Sequence, residues 1–185
     1  MAHVTVSPAA FRLVNFDAER IRLAAVQVAR AVGLPDDLEL TLAIDEETPF
    51  GQTATVIVGR RVEIRVDGGA FEDPKHLRDL SEASTRQVLG RLLYRVADRL
   101  DPNFGSPPPD DELTLAQHAA WDAYSVGRYA RLTGVDGGQA RRRYAFRIRH
   151  GFSDRADRAF DRLWHASGLV WEDLQAICDE DLAAG

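Results

Sequence analysis

Between residues 38 and 66 the chain alternates apolar and polar side chains, and elsewhere it recurs at helical spacing. LELTLAID sets Leu38, Leu40, Leu42 and Ile44 on one side and Glu39, Thr41 and Asp45 on the other, the two-residue period of a half-buried strand. ATVIV and VEIRV follow, separated by Gly59-Arg60-Arg61, and read as a hairpin of two further strands. After Val66 the strand signals largely stop. Gly68 and Gly69 mark a turn, and Asp73-Pro74 opens a helical stretch with a break near Ser81. Its core face carries Leu77, Leu80, Val88, Leu89, Leu92, Leu93, Val96 and Leu100, and Pro102 ends it. Upstream, Asn15 or Asp17 caps a helix that runs to about Val32, where Gly33 and Pro35 stop it. Downstream of the proline-rich loop DPNFGSPPPDDEL, helices are expected near 113–132, 140–149, 154–166 and 170–182, although RYAFRIR alternates well enough for a strand. An N-terminal helix, a small, mostly antiparallel sheet of about three strands and then several long helices make an α+β chain, expected to form one domain over 1–185.

Composition narrows the function classes. A chain of 185 residues can bury one sizeable core, and no apolar run approaches the roughly 18 residues that span a bilayer, so no membrane partner is expected. MAHVTVSPAAFRL lacks the basic start and apolar core of a secretion signal, which points to the cytoplasm. Cys178 is the sole cysteine, which excludes internal disulfides and a cysteine-rich zinc module; among Leu174, Ala176 and Ile177 it reads as a core residue. His76, His118, His150 and His165 include no pair four apart, and the paired glycines of VDGGAF and GVDGGQ read as turns, so no cofactor is expected. Trp121, Trp164 and Trp171 read as core or interface anchors rather than a ligand cage.

Charge is uneven. From Arg141 to His165 arginines outnumber Asp154, Asp157 and Asp161 by about five in a chain of net charge −6. Arginines interleaved with Tyr144 and Phe146 fit a nucleic-acid groove over Arg141 to Arg162. WEDLQAICDEDL, however, brings Glu172, Asp173, Asp179, Glu180 and Asp181, so an internally paired surface is preferred and nucleic acid is disfavoured as a partner.

VLGRLLYRVADRLDPNFG, residues 88 to 105, places Arg91, Arg95 and Arg99 four apart beside the apolar stripe. In zinc metallopeptidases of the zincin class a helix after a small sheet carries HExxH, because residues four apart aim two imidazoles at one ion while the glutamate activates water. The stretch resembles a bacterial zincin-like family whose helix ends in a form similar to HELxHVxDxLDPxFG, and VADRLDPNFG matches that ending. AWDAYSVGRYARL is similar to a second helix of that family, LWDxxIDGRL, whose later acidic residue is implied as a further ligand; Val126 stands there instead. RRRYAFRIRHGF and FDRLW are compatible with the rest, so the likeness covers about 56 to 181. The resemblance implies a zincin-like core, but both histidine positions hold arginine and the glutamate position holds Leu92.

Arginine is not deprotonated to bind zinc and leucine is no general base, which speaks against turnover. The expectation is a non-catalytic, metallopeptidase-like protein without its zinc site, acting by binding a partner protein or small anionic ligand through an arginine-lined cleft. Arg91, Arg95 and Tyr94, with Asp122 and Glu46, are its candidate ligand-binding residues, and Asp98 is a further candidate partner for the arginines. Either internal ion pairs have replaced the metal as a support, or the arginines hold a carboxylate or phosphate. The rival reading is a hydrolase with an atypical acidic or metal site built from Asp45, Glu46, His118 and Asp122. A homo-oligomer is compatible with either.

Overall fold

The computed structural model describes residues 2–180, so Asp181 and the end of the helix expected to reach 182 lie outside the described residues. The elements run β1 (His3–Ser7), α1 (Ala18–Val32), β2 (Glu39–Asp45), β3 (Thr53–Val58), β4 (Arg61–Asp67), β5 (Glu72–Asp73), β6 (His76–Leu80), α2 (Glu82–Leu100), α3 (Leu115–Thr133), α4 (Gln139–His150), α5 (Asp154–His165) and α6 (Trp171–Asp179). The class is α+β. Contacts divide the chain into two compact units, Met1–Val96 and Ala97–Gly185, with the last residues of α2 counted in the second.

In the first unit the four-stranded sheet has the order β1-β2-β4-β3. The expected mostly antiparallel sheet is mixed instead: β1 pairs parallel with β2 and β2 parallel with β4, and only β3 and β4 are antiparallel. Alternation reports which face a side chain takes, and is blind to strand direction. Helix α1 crosses between β1 and β2, a connection that makes parallel neighbours, while β3 lies at the edge and returns through Gly59 (φ 60°) as β4. Leu40, Leu42 and Ile44 of β2 and Val62, Ile64 and Val66 of β4 are buried, as are Ile21, Ala24, Ala25 and Val28 of α1. Asp17 is the N-cap of α1, accepting from the amides of Glu19 (2.9 Å) and Arg20 (3.1 Å), and Gly33 ends it at φ 84°. Asn15, the other expected cap, instead donates its Nδ2 to Asp79 (2.8 Å).

A second correction concerns residues 73 to 80, which form a two-stranded hairpin of β5 and β6 rather than the start of a helix. Asp73 accepts the amide of Lys75 (2.7 Å), closing a turn around Pro74, and Leu77 is exposed rather than on a core face. The expected break near Ser81 is where α2 begins: the Ser81 hydroxyl accepts the amide of Ser84 (3.1 Å). Close to the sheet, Gly69 fits because a Cβ there would stand 2.0 Å from the carbonyl oxygen of Pro49, so that half of VDGGAF is set by close approach as well as by turning.

The second unit is helical. α3 packs against α4, α5 and α6 around Trp121, Tyr124, Phe146, Phe160, Leu163, Trp164, Trp171 and Ile177. All three tryptophans are buried, and Cys178 packs against the same cluster. RYAFRIR is helical within α4, which turns Phe146 and His150 inward. The His150 ring stacks on Phe146 (centroids 4.0 Å apart) with Nε2 3.1 Å from the carbonyl oxygen of Ala116, and burial pushes its pKa below the usual 6.5. Because the unfolded chain then takes up the proton first, this residue costs stability as pH falls below about 6.5 and is silent above it. The unfolding midpoint should fall between about pH 7 and pH 5 in the parent and less steeply in His150→Gln, measured by circular dichroism. Asp157, whose carboxyl is held below 3.8 chiefly by its bond from Arg147, loses its contribution only in more acidic solution.

Candidate functional site

On α2, Arg91, Leu92, Leu93, Tyr94 and Arg95 make one helical turn in which Arg91 and Arg95 share a face. Both arginines are buried, Arg91 at 9 % and Arg95 at 3 % exposure, and Tyr94 is half-buried. Arg91 donates from Nη2 to the hydroxyl of Thr53 at the start of β3 (3.0 Å). Leu92 and Leu93 are fully buried as well, so, Tyr94 apart, the turn is enclosed and its guanidiniums share an interior setting. A guanidinium removed from water needs acceptors or an anion around it, which is why the setting of this pair matters more than that of an exposed arginine.

Other sequence candidates have local employment. Glu46, on the loop after β2, accepts the amides of Leu13 (2.6 Å) and Arg12 (2.7 Å) on one oxygen, and these bonds hold its carboxyl below the usual range. Arg78, at φ 69°, donates to the Glu46 carbonyl (3.3 Å), so the residue latches the segment after β1. Asp45 accepts from the hydroxyl of Thr48 (2.6 Å) and the amide of Glu47 (2.9 Å), closing its own turn. Within the second unit Asp122 lies 3.4 Å from Arg142, and His118 Nε2 is 3.1 Å from the carbonyl of Asp110. Among the described residues no group of three or more His, Cys, Asp or Glu side chains is placed to hold a metal ion. Cys178 is no ready nucleophile, since burial pushes its thiol up to about 12.

What sequence reasoning missed is where Asp98 goes. Its buried carboxylate accepts Nη1 and Nη2 of Arg128 (2.8 and 2.5 Å) and Nε1 of Trp121 (2.8 Å). The third rung of the ladder, Arg99, donates to Asp110 (2.6 Å) and to the carbonyl of Pro108 (3.0 Å) and covers the Trp121 ring at 4.6 Å. Phe104 stacks on Trp121 at 5.5 Å, and its carbonyl accepts the amide of Trp171 (2.7 Å). Gly105 turns away at φ 100°.

No family model, curated protein or solved structure matches the chain. The strings VADRLDPNFG and AWDAYSVGRYARL must therefore be understood from their own contacts. They meet: Asp98 and Phe104 of the first bind Trp121 and Arg128 of the second, and each of these residues has a packing or charge-pairing role that requires no metal.

Four of the eight arginines from Arg141 to Arg162 are paired with acids among the described residues of the second unit. Arg143 pairs with Asp161 and Asp157, Arg147 donates to Asp157 (Nε to Oδ1, 2.7 Å), and Arg142 faces Asp122. Most of the neutralising acids come from α5 and α3. Of the acidic final segment expected to supply them, Glu180 contributes a 3.5 Å pair with Arg155.

Proposed function

We propose that this chain is a non-catalytic protein of metallopeptidase-like build, with a zincin-like core and a cytoplasmic setting, that acts by binding. Arg91 and Arg95, buried on α2 beside Tyr94, are the guanidiniums that would hold a carboxylate or phosphate of a partner protein or small ligand. The observation that carries this reading is the register of α2: two buried guanidiniums four residues apart, on the helix that follows the sheet, at the positions where the resemblance has imidazoles. Leu92, at the glutamate position, is sealed in the core and supplies no base. The joining of the two family-like strings through Asp98, Trp121 and Arg128 supports the likeness in build. Glu46 accepts two backbone amides and Asp122 faces Arg142.

Elemental analysis of the purified protein and melting curves in phosphate and citrate test the proposal together. Zinc well below one equivalent, and a midpoint raised by the anions in the parent but not in Arg91→Ala/Arg95→Ala, is the expected result. Stoichiometric zinc with chelator-sensitive hydrolysis would overturn it. So would a double variant that loses on the order of 3 kcal/mol while the parent ignores both anions, since the arginines would then be internal supports alone.

A further inference from the structure

Helix α4 carries Arg141, Arg142, Arg143, Arg147, Arg149 and His150 and no acid, in a chain of net charge −6. Phe146 and His150 face the core, and Arg142, Arg143 and Arg147 are engaged with Asp122, Asp157 and Asp161. The opposite side is different in kind. Tyr144 (59 % exposed) and Ile148 (50 %) stand one turn apart, and after Gly151 the chain brings Phe152 (66 %) back so that its ring meets Tyr144 edge-on at 5.9 Å. Three large apolar side chains thus share one exposed patch, which isolated surface hydrophobes do not. Arg141 and Arg149, both exposed and without an ion pair among the described residues, bracket it two helical turns apart, about 12 Å.

We propose that this face docks an acidic amphipathic helix of a partner protein, its apolar side chains seated on Tyr144, Ile148 and Phe152 and its carboxylates meeting Arg141 and Arg149. Charge decides the partner. A second copy of the chain offers no such helix among the described residues: Leu23 of α1 and Leu115 and Leu132 of α3 are exposed singly, and acidic α6 turns Trp171, Leu174 and Ile177 inward. Nucleic acid fits less well, because three of the five α4 arginines are already bound to carboxylates and the centre of the patch is aliphatic Ile148, which cannot stack on a base in the manner of an aromatic ring.

A fluorescein-labelled synthetic helix with leucine and phenylalanine on one face and glutamate on its flanks serves as the probe, read by anisotropy on the whole chain. Parent protein should bind it, Ile148→Glu should weaken binding by about tenfold or more, and Arg141→Glu/Arg149→Glu should weaken it and remove its salt dependence. These side chains are exposed, so melting should be unchanged, and Val58→Glu, at an exposed apolar position on β3, should bind as the parent does. Four results would overturn the proposal: undiminished binding by Ile148→Glu; equal binding of a lysine-flanked probe; an oligonucleotide bound through Arg141 and Arg149 while the acidic helix is not; or a self-association, seen by sedimentation, that Ile148→Glu dissolves.

Discussion

Asp98→Ala should remove about 3–5 kcal/mol from the stability of the folded chain, the range found when one partner of a buried ion pair is deleted. The carboxylate is buried and so is most of Arg128, whose two terminal nitrogens both donate to it. Alanine takes away the carboxylate to which both terminal nitrogens of Arg128 donate and which accepts the Trp121 indole N–H, while the face of Tyr124 stays beside the guanidinium at 4.0 Å. Cation–π attraction is worth about 0.5–2 kcal/mol and does not replace a bidentate carboxylate. The size of the loss is thus governed by what is stranded, not by the net strength of the pair. Removing both charges tests this directly: Asp98→Leu/Arg128→Met should recover much of the loss, because two apolar side chains of similar volume leave neither charge of the pair buried alone. Urea unfolding followed by tryptophan fluorescence measures all three proteins. A loss below about 1 kcal/mol for Asp98→Ala would mean that the pair behaves as a solvated surface bridge and that the meeting of the two family-like strings contributes little to the fold.

This knot also shows where the sequence was legible and where it was not. Elements defined by local chemistry were readable: the Asp17 cap and Gly33 stop of α1, the alternation of β2, the hairpin across Gly59, and the proline-rich segment after α2 all stand as expected. Elements defined by pairing at a distance were not. His3–Ser7 does alternate, with Val4 and Val6 between His3, Thr5 and Ser7, but a run of five is a weak signal alone, and β2 supplies the parallel neighbour that makes it a strand. His76–Leu80 carries Leu77 and Leu80 at a spacing that suits a helix, and the turn at Asp73 overrides it. The arginine ladder was visible as spacing, yet spacing cannot say which acid each arginine finds. Asp98 was a candidate partner for Arg91 and Arg95 and serves Arg128; Arg99 takes Asp110 from a loop that carries no periodic signal at all. Glu46 looked available because its side chain is polar and follows a strand. It is engaged by two backbone amides, which no side-chain pattern announces.

Gly127→Ala should destabilise the chain by about 3 kcal/mol, although helix propensity alone argues for a gain of about 1 kcal/mol from glycine to alanine in a helix interior. Geometry decides the sign. Gly127 lies in the middle of α3, is fully enclosed, and has ordinary helical backbone, so nothing in its own conformation requires glycine. A Cβ placed there would stand 2.3 Å from the carbonyl oxygen of Trp164 and 2.9 Å from its carbonyl carbon and Cα. These are backbone atoms of α5, which cannot swing aside as a side-chain tip can, and the Trp164 carbonyl is further held by a hydrogen bond from Arg131. Relief therefore requires α3 and α5 to separate, which loosens the packing of Trp164, Phe160 and Leu163 against α3, and overpacking of this kind in a close-packed interior costs about 1–3 kcal/mol before any backbone contact is added. Gly134→Ala supplies the contrast: that glycine ends α3 at φ 69° with nothing within 4 Å of the added carbon, so its cost comes from the left-handed backbone alone and should stay near 1 kcal/mol. Thermal and urea unfolding of the two variants side by side separates the causes. Should Gly127→Ala prove as stable as the parent, α3 and α5 lie farther apart than their close approach at Trp164 requires.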